Sequence, residues 1–252
     1  MRTVRISMVI GLIAQVALLA VLARNSIGFS GLGWLAGLSY GVIGTALLAR
    51  ALARAAALVF GAANWVTLVR ATLVGGVTAL VADAFVRPTE MTDLATLAAV
   101  ALVLDGVDGW VARHTGSVTA LGARYDMEVD AFLIFMLSVL AARSVGPWVL
   151  AIGLARYAAV TAGWIVPWLS RPVPPRYWRK PVAAIQGIVL TVAVAGIVPG
   201  PVIDLMLVVA MVLLAESFGR DVWWQWYHKV RTDAEAAEPT IVAEEHVYAR
   251  AA

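Results

Sequence analysis

Apolar residues run along this chain in long blocks, not in the short alternations of a soluble fold. Eight blocks, at 6–23, 30–49, 65–86, 93–112, 122–142, 146–169, 182–198 and 201–218, each come close to the roughly 20 residues that cross a bilayer as a helix. Polar residues and prolines collect between them. The pattern predicts an all-α integral membrane protein, a helical bundle of about eight transmembrane helices. Between the second and third blocks, 50–63 carries Arg50 and Arg54 among alanines, the composition of an interfacial amphipathic helix. The 170–181 segment holds Pro172, Pro174 and Pro175 and is expected to break helix. After about residue 232 the chain turns to Ala, Asp and Glu, which predicts a disordered tail. The cluster Trp223, Trp224, Trp226 and Tyr227 follows the last block and reads as an interfacial belt.

Composition sharpens this picture. Hydrophobic residues make up 62% of the 252 and charged residues 14%, with a mean hydropathy of +0.85. A soluble domain is about half apolar and about a quarter charged, so the chain has too little interior to hide its apolar surface without lipid. The absence of cysteine excludes disulfides and thiolate chemistry, and three histidines leave little room for a histidine-built zinc site. A net charge of +3 is too small and scattered for nucleic-acid binding. It reports topology instead. Of the 19 basic residues, Arg24, Arg87 and Arg143 fall on one side of an eight-span chain, Arg156 falls inside a span, and the other fifteen fall on the opposite side. The crowded side, with both termini, is expected to be cytoplasmic.

Four aspartates break the apolar pattern where it should be least tolerant of charge. Asp105 and Asp108 close the fourth block; Asp126 and Asp130 open the fifth. Spacings of three and four put each pair on one helix face, and a short turn with Gly116 and Gly122 can bring the faces together. Charges within a span are costly, and clustered like charges disfavour one another's ionisation. Divalent metal relieves both. Carboxylates without His or Cys select hard cations, Mg²⁺ or Mn²⁺, and four of them can hold two ions about 4 Å apart, an arrangement suited to phosphoryl displacement. Glu128 sits about 160–200° round the helix from Asp126 and Asp130 and is expected to face away and pair elsewhere.

The segment Asp105-Gly-Val-Asp108-Gly109-Trp-Val-Ala112-Arg113, eight residues, then Gly122-Ala-Arg-Tyr-Asp126-Met-Glu-Val-Asp130 resembles the signature of the CDP-alcohol phosphotransferase (CDP-alcohol phosphatidyltransferase) family, D-x-x-D-G-x-x-A-R, a spacer of eight, then G-x-x-x-D-x-x-x-D. Asn64, Thr67 and Arg70 resemble its upstream N-x-x-T-x-x-R. The resemblance implies six core helices and transfer of a phosphatidyl group from a CDP-linked lipid, such as CDP-diacylglycerol, to an alcohol with release of CMP. It implies two Mg²⁺ or Mn²⁺ ions on Asp105, Asp108, Asp126 and Asp130, with Asp130 also the catalytic base. Asn64, Thr67, Arg70, Gly109, Ala112 and Arg113 become nucleotide-binding residues. The expected organisation is two extra N-terminal helices and an interfacial segment over 1–59, the catalytic core over 60–231 and the tail over 232–252. The expected setting is the cell (inner or plasma) membrane, with the site facing the cytoplasm. A homodimer is compatible with this.

Arg156, inside a span, calls for an anionic partner, and Arg171, Arg176, Arg179 and Lys180 crowd the next cytoplasmic loop. Arginine suits bidentate phosphate binding. Arg156, with Arg124, Arg176 and Lys180, is therefore expected to bind a phosphorylated acceptor of the glycerol 3-phosphate or inositol phosphate type. Two rival classes differ in their sequence marks. An intramembrane prenyltransferase with an Asp-rich Mg²⁺ site would carry two separated Asp motifs, and a transporter with a carboxylate relay would show symmetric halves; the single compact motif and the lack of an internal repeat fit neither.

Overall fold

The computed structural model describes the backbone of residues 2–25, 28–54, 62–115, 120–174 and 178–250; within these, side chains are described except at 2–5, 25, 53–54, 62–64, 108–113, 115, 120–121 and 232–250. The described residues form eight α-helices and no strand: α1 (Arg2–Asn25), α2 (Gly31–Arg54), α3 (Ala62–Asp83), α4 (Met91–Thr115), α5 (Ala120–Ala141), α6 (Leu150–Ile165), α7 (Arg179–Ala195) and α8 (Gly200–Arg250). Each apolar block of the sequence falls on one helix. The helices at Ile6–Arg24, Gly31–Leu52, Trp65–Asp83, Pro147–Ile165 and Gly200–Arg231 are each long and apolar enough to cross a membrane. The chain is an all-α, multi-pass membrane protein.

Two boundaries differ from the expectation. α2 runs unbroken to Arg54, so Arg50 and Arg54 extend the second span and do not begin a separate interfacial helix; 55–61 lie outside the described residues. Leu48 and Leu52 are buried on this extension, and that packing carries the helix on. The backbone of α8 stays helical to Arg250, past the point near 232 where an irregular tail was expected. Ala234, Glu235, Ala236, Ala237 and Glu238 are strong helix formers. The proline-rich segment does break helix: a 3₁₀ turn at Pro167–Ser170 leads to α7, which begins at Arg179.

α3 is the central helix. Of its span, 67% is buried, against 22% or less for the spans in α1, α2, α6 and α8. Val74, Val77 and Leu80 are almost wholly covered, and the core joins them to Leu94 and Ala98 of α4, Leu133 and Leu137 of α5, and Leu190 of α7. Among lipid tails, which are as apolar as Leu, helices associate through close packing of small residues. Gly153 of α6 shows how close: a Cβ there would lie 2.7 Å from the Phe135 Cα and 2.1 Å from the Ser138 Oγ of α5.

At one end of the bundle Asp83, buried at the foot of α3, accepts the Ser30 backbone N–H at 2.7 Å and pairs with Arg87 at 2.6 Å. Ser30 Oγ in turn accepts the Gly33 N–H at 3.2 Å, capping α2. Arg143 donates to the Ala84 carbonyl. The ends of α3 and α5 and the start of α2 are thus tied together. The aspartate motif lies at the opposite end.

The α5–α6 contact predicts that Gly153→Ala destabilises the protein by about 1–3 kcal/mol, the usual cost of overpacking, because the Phe135 backbone cannot turn aside. Gly44, with nothing within 4 Å of a built Cβ, accepts alanine without loss. Thermal unfolding in detergent measures both.

Candidate active site

Arg70 sits two turns into α3, one turn after Thr67; both side chains are buried, Arg70 to 1% exposure. Its guanidinium reaches two neighbouring helices. Nη1 lies 3.1 Å from Asp105 Oδ1 of α4 and also pairs with Asp126 of α5, while Nη2 pairs with Asp130 of α5. The spacing of four between Asp126 and Asp130 lets one helix face offer both carboxylates. A spacing of three puts Thr67 and Arg70 on one face of α3.

The three carboxylates are partly open, with side-chain exposures of 41%, 33% and 31%, above an arginine that is closed off. Arg70 forms the floor and the aspartates the rim. An arginine does not lose its proton, and a buried one must be neutralised by anions. Among the described residues three ionised carboxylates do this and leave two negative charges over. One oxygen from each of Asp105, Asp126 and Asp130 can be chosen so that all lie within 4.8 Å of one another. Asp130 Oδ1 is buried and, apart from its ion pair with Arg70, accepts no hydrogen bond among the described residues. An all-oxygen set of partly open carboxylates, with surplus negative charge among the described residues, fits a hard divalent cation.

The sequence expectations fare unevenly against this geometry. Asp105, Asp126 and Asp130 come together. Arg70, expected in the nucleotide pocket, pairs with these aspartates. Glu128 does face the other way: it pairs with Arg156, whose Nη1 also donates to Met127 Sδ at 2.8 Å. Arg156 therefore lies against the face of α5 opposite the carboxylates and is not brought into their cluster. Arg124 and Lys180 are exposed. Arg179 pairs with Asp221 at 3.4 Å. The side chains of Asn64, Asp108, Gly109, Ala112, Arg113 and Arg176 lie outside the described residues. Sequence reasoning missed two pairings, Arg70 with the aspartates and Arg156 with Glu128. The second had a usable signal: an intraspan arginine and an outward carboxylate on consecutive helices each lacked a partner.

The model of the CDP-alcohol phosphatidyltransferase family matches residues 60–223, from just before α3 into α8. The chain belongs to this family. No curated protein and no solved structure is significantly similar to it. As a CDP-alcohol phosphatidyltransferase family member it is a membrane transferase of phosphate-containing groups, acting in phospholipid synthesis between a CDP-alcohol donor and an alcohol acceptor. The family is generally dependent on divalent metal, and the three-aspartate cluster is compatible with that.

Removing one member of a buried charge cluster typically costs 3–5 kcal/mol. Arg70→Gln is therefore expected to lower stability by about 3 kcal/mol or more in metal-free buffer. Mg²⁺ should recover more of the thermal midpoint in the variant than in the wild type, because the variant's carboxylates carry one more uncompensated charge. An unchanged midpoint without metal would show that Arg70 is not the counter-charge.

Proposed function

We propose that this chain transfers the phosphatidyl group of CDP-diacylglycerol to the hydroxyl of a small phosphorylated polyol, of the glycerol 3-phosphate or inositol phosphate type, and releases CMP. The observation that carries the reading is the convergence of Asp105, Asp126 and Asp130 on one oxygen-lined, partly open site. With Asp108 they would hold two Mg²⁺ or Mn²⁺ ions, which supply charge neutralisation for the donor's diphosphate and for the departing CMP.

The chain's own residues then have separate tasks. Asp130 accepts the proton of the acceptor hydroxyl. That oxygen forms its bond to the lipid-linked phosphorus as the bond from phosphorus to the CMP oxygen breaks. Asn64, Thr67, Arg70, Gly109, Ala112 and Arg113 are assigned to the cytidine diphosphate, the small residues among them leaving room for the nucleotide to approach the helix backbone. Arg156, with Arg124, Arg176 and Lys180, takes the acceptor's phosphate. Arg156 is held by Glu128 yet keeps a buried Nε with no hydrogen-bond partner among the described residues, so donor capacity remains for a phosphate. The fifteen-to-three division of basic residues supports both termini, and the mouth of the site, on the cytoplasmic side of the cell membrane.

The test is CMP release by purified protein from CDP-diacylglycerol, with Mn²⁺ or Mg²⁺ and a panel of alcohols. CMP is expected only with metal and acceptor together, and fastest with a phosphorylated polyol. Preference for serine or another unphosphorylated alcohol would overturn the acceptor class, and no CMP with any acceptor would overturn the reaction. In the same assay Asp130→Asn should lower kcat by about 10²-fold or more, the usual share of a positioned base. Arg156→Ala should raise the acceptor KM by about tenfold or more, as for a charged hydrogen bond of about 1.5–3 kcal/mol, and leave the donor KM unchanged.

A further inference from the structure

α1 and α2 lie outside the family match, which begins at residue 60, yet α2 reaches the site. It bears on α5 at two places, once directly and once through a leucine cluster shared with α3. Tyr40 packs on Phe132 with ring centroids 4.9 Å apart and planes inclined by 32°, and Phe132 is two residues beyond Asp130. Farther along, Leu48 and Leu52 form a small buried cluster with Leu68, against which Tyr125 packs. Tyr125 immediately precedes Asp126, and Leu68 is two residues before Arg70. Tyr125 and Phe132 are seven residues apart and so share a face of α5, about 100–160° round from Asp126 and Asp130. The two contacts bracket the carboxylate pair along the helix and leave its own face open.

α2 is itself held firmly. Its start is tied to α3 through the Ser30–Asp83 hydrogen bond, and α1 presses it from outside, where a Cβ on Gly37 would come within 2.9 Å of Leu19. α5 needs such a brace. Arg70 is buried and stays charged, so its attraction draws Asp126 and Asp130 inward, whereas a cation of the Mg²⁺ type demands ligands in near-ideal octahedral positions. A fixed wall behind α5 decides how far the carboxylates can follow the guanidinium.

We propose that Tyr40, Leu48 and Leu52 of α2 are positioning residues for the carboxylate site. Through Phe132 and Tyr125 they set the rotation and depth of α5 so that Asp126 and Asp130 serve Arg70 and a divalent cation together. The role rests on the metal reading given under Proposed function. It belongs to the Tyr40 ring and not to its hydroxyl.

Mn²⁺ binding to the purified full-length protein, followed by the electron paramagnetic resonance of the free ion, tests this without turnover. Thermal midpoints in metal-free buffer are recorded alongside. Tyr40→Ala and Leu52→Ala should each weaken Mn²⁺ binding by about tenfold, the lower end of what loss of support behind metal ligands costs. Tyr40→Phe should bind as the wild type does. Leu207→Ala, at a fully buried position in α8, should lower the thermal midpoint and leave the affinity alone. If Tyr40→Ala does not fold, Tyr40→Leu, which keeps bulk but loses the ring, takes its place. Wild-type affinity in the Tyr40 and Leu52 variants overturns the proposal, as does an equal loss in Leu207→Ala. A wild-type protein that binds no Mn²⁺ overturns the metal reading, and the proposal with it.

Discussion

One buried guanidinium organises this protein. Arg70 is all but sealed inside α3, the helix around which the others pack, and it stays charged in that setting. The fold satisfies it by bringing Asp105 of α4 and Asp126 and Asp130 of α5 onto it. Like charges in a membrane bundle would otherwise push α4 and α5 apart, and an isolated arginine in α3 would be untenable. Together they draw three helices to one point and leave two negative charges facing an opening. The same surplus that makes the cluster unstable alone makes it a place for a divalent cation.

Much of this was legible in the chain. The apolar blocks mark every helix, and intervals of three and four among the aspartates specify which face of α4 and α5 is charged. Geometry on a helical wheel was enough to turn Glu128 away from that face. What periodicity cannot supply is which helix lies beside which. Arg70 belongs to a motif, yet its capture by the aspartates depends on the packing of α3 against α4 and α5, and no spacing within a single helix encodes that. The pairing of Arg156 went unseen for the same reason. Its need for an anion was plain, but that Glu128, 28 residues away, lies beside it depends on the packing of α6 on α5. Helix ends were the other weak point: α2 and α8 continue beyond their apolar blocks because buried leucines in one, and strong helix formers in the other, carry the backbone on.

The N-terminal pair changes how the catalytic core is understood. The family match begins just before α3, so α1 and α2 look like additions. Their packing is intimate nonetheless, with Gln15 of α1 so close to Gly75 of α3 that a Cβ there would be 2.3 Å from its Nε2. An added element fitted this tightly, with its aromatic and leucine side chains against the residues flanking Asp126 and Asp130, can tune a site without contributing a single ligand.

The central claim is that the carboxylate cluster beside Arg70 holds divalent cations. Anomalous diffraction from crystals grown with Mn²⁺ tests it most directly. Two manganese peaks are expected among Asp105, Asp108, Asp126 and Asp130, with Arg70 beneath them. No peak at the cluster, with manganese bound elsewhere on the chain, would contradict it.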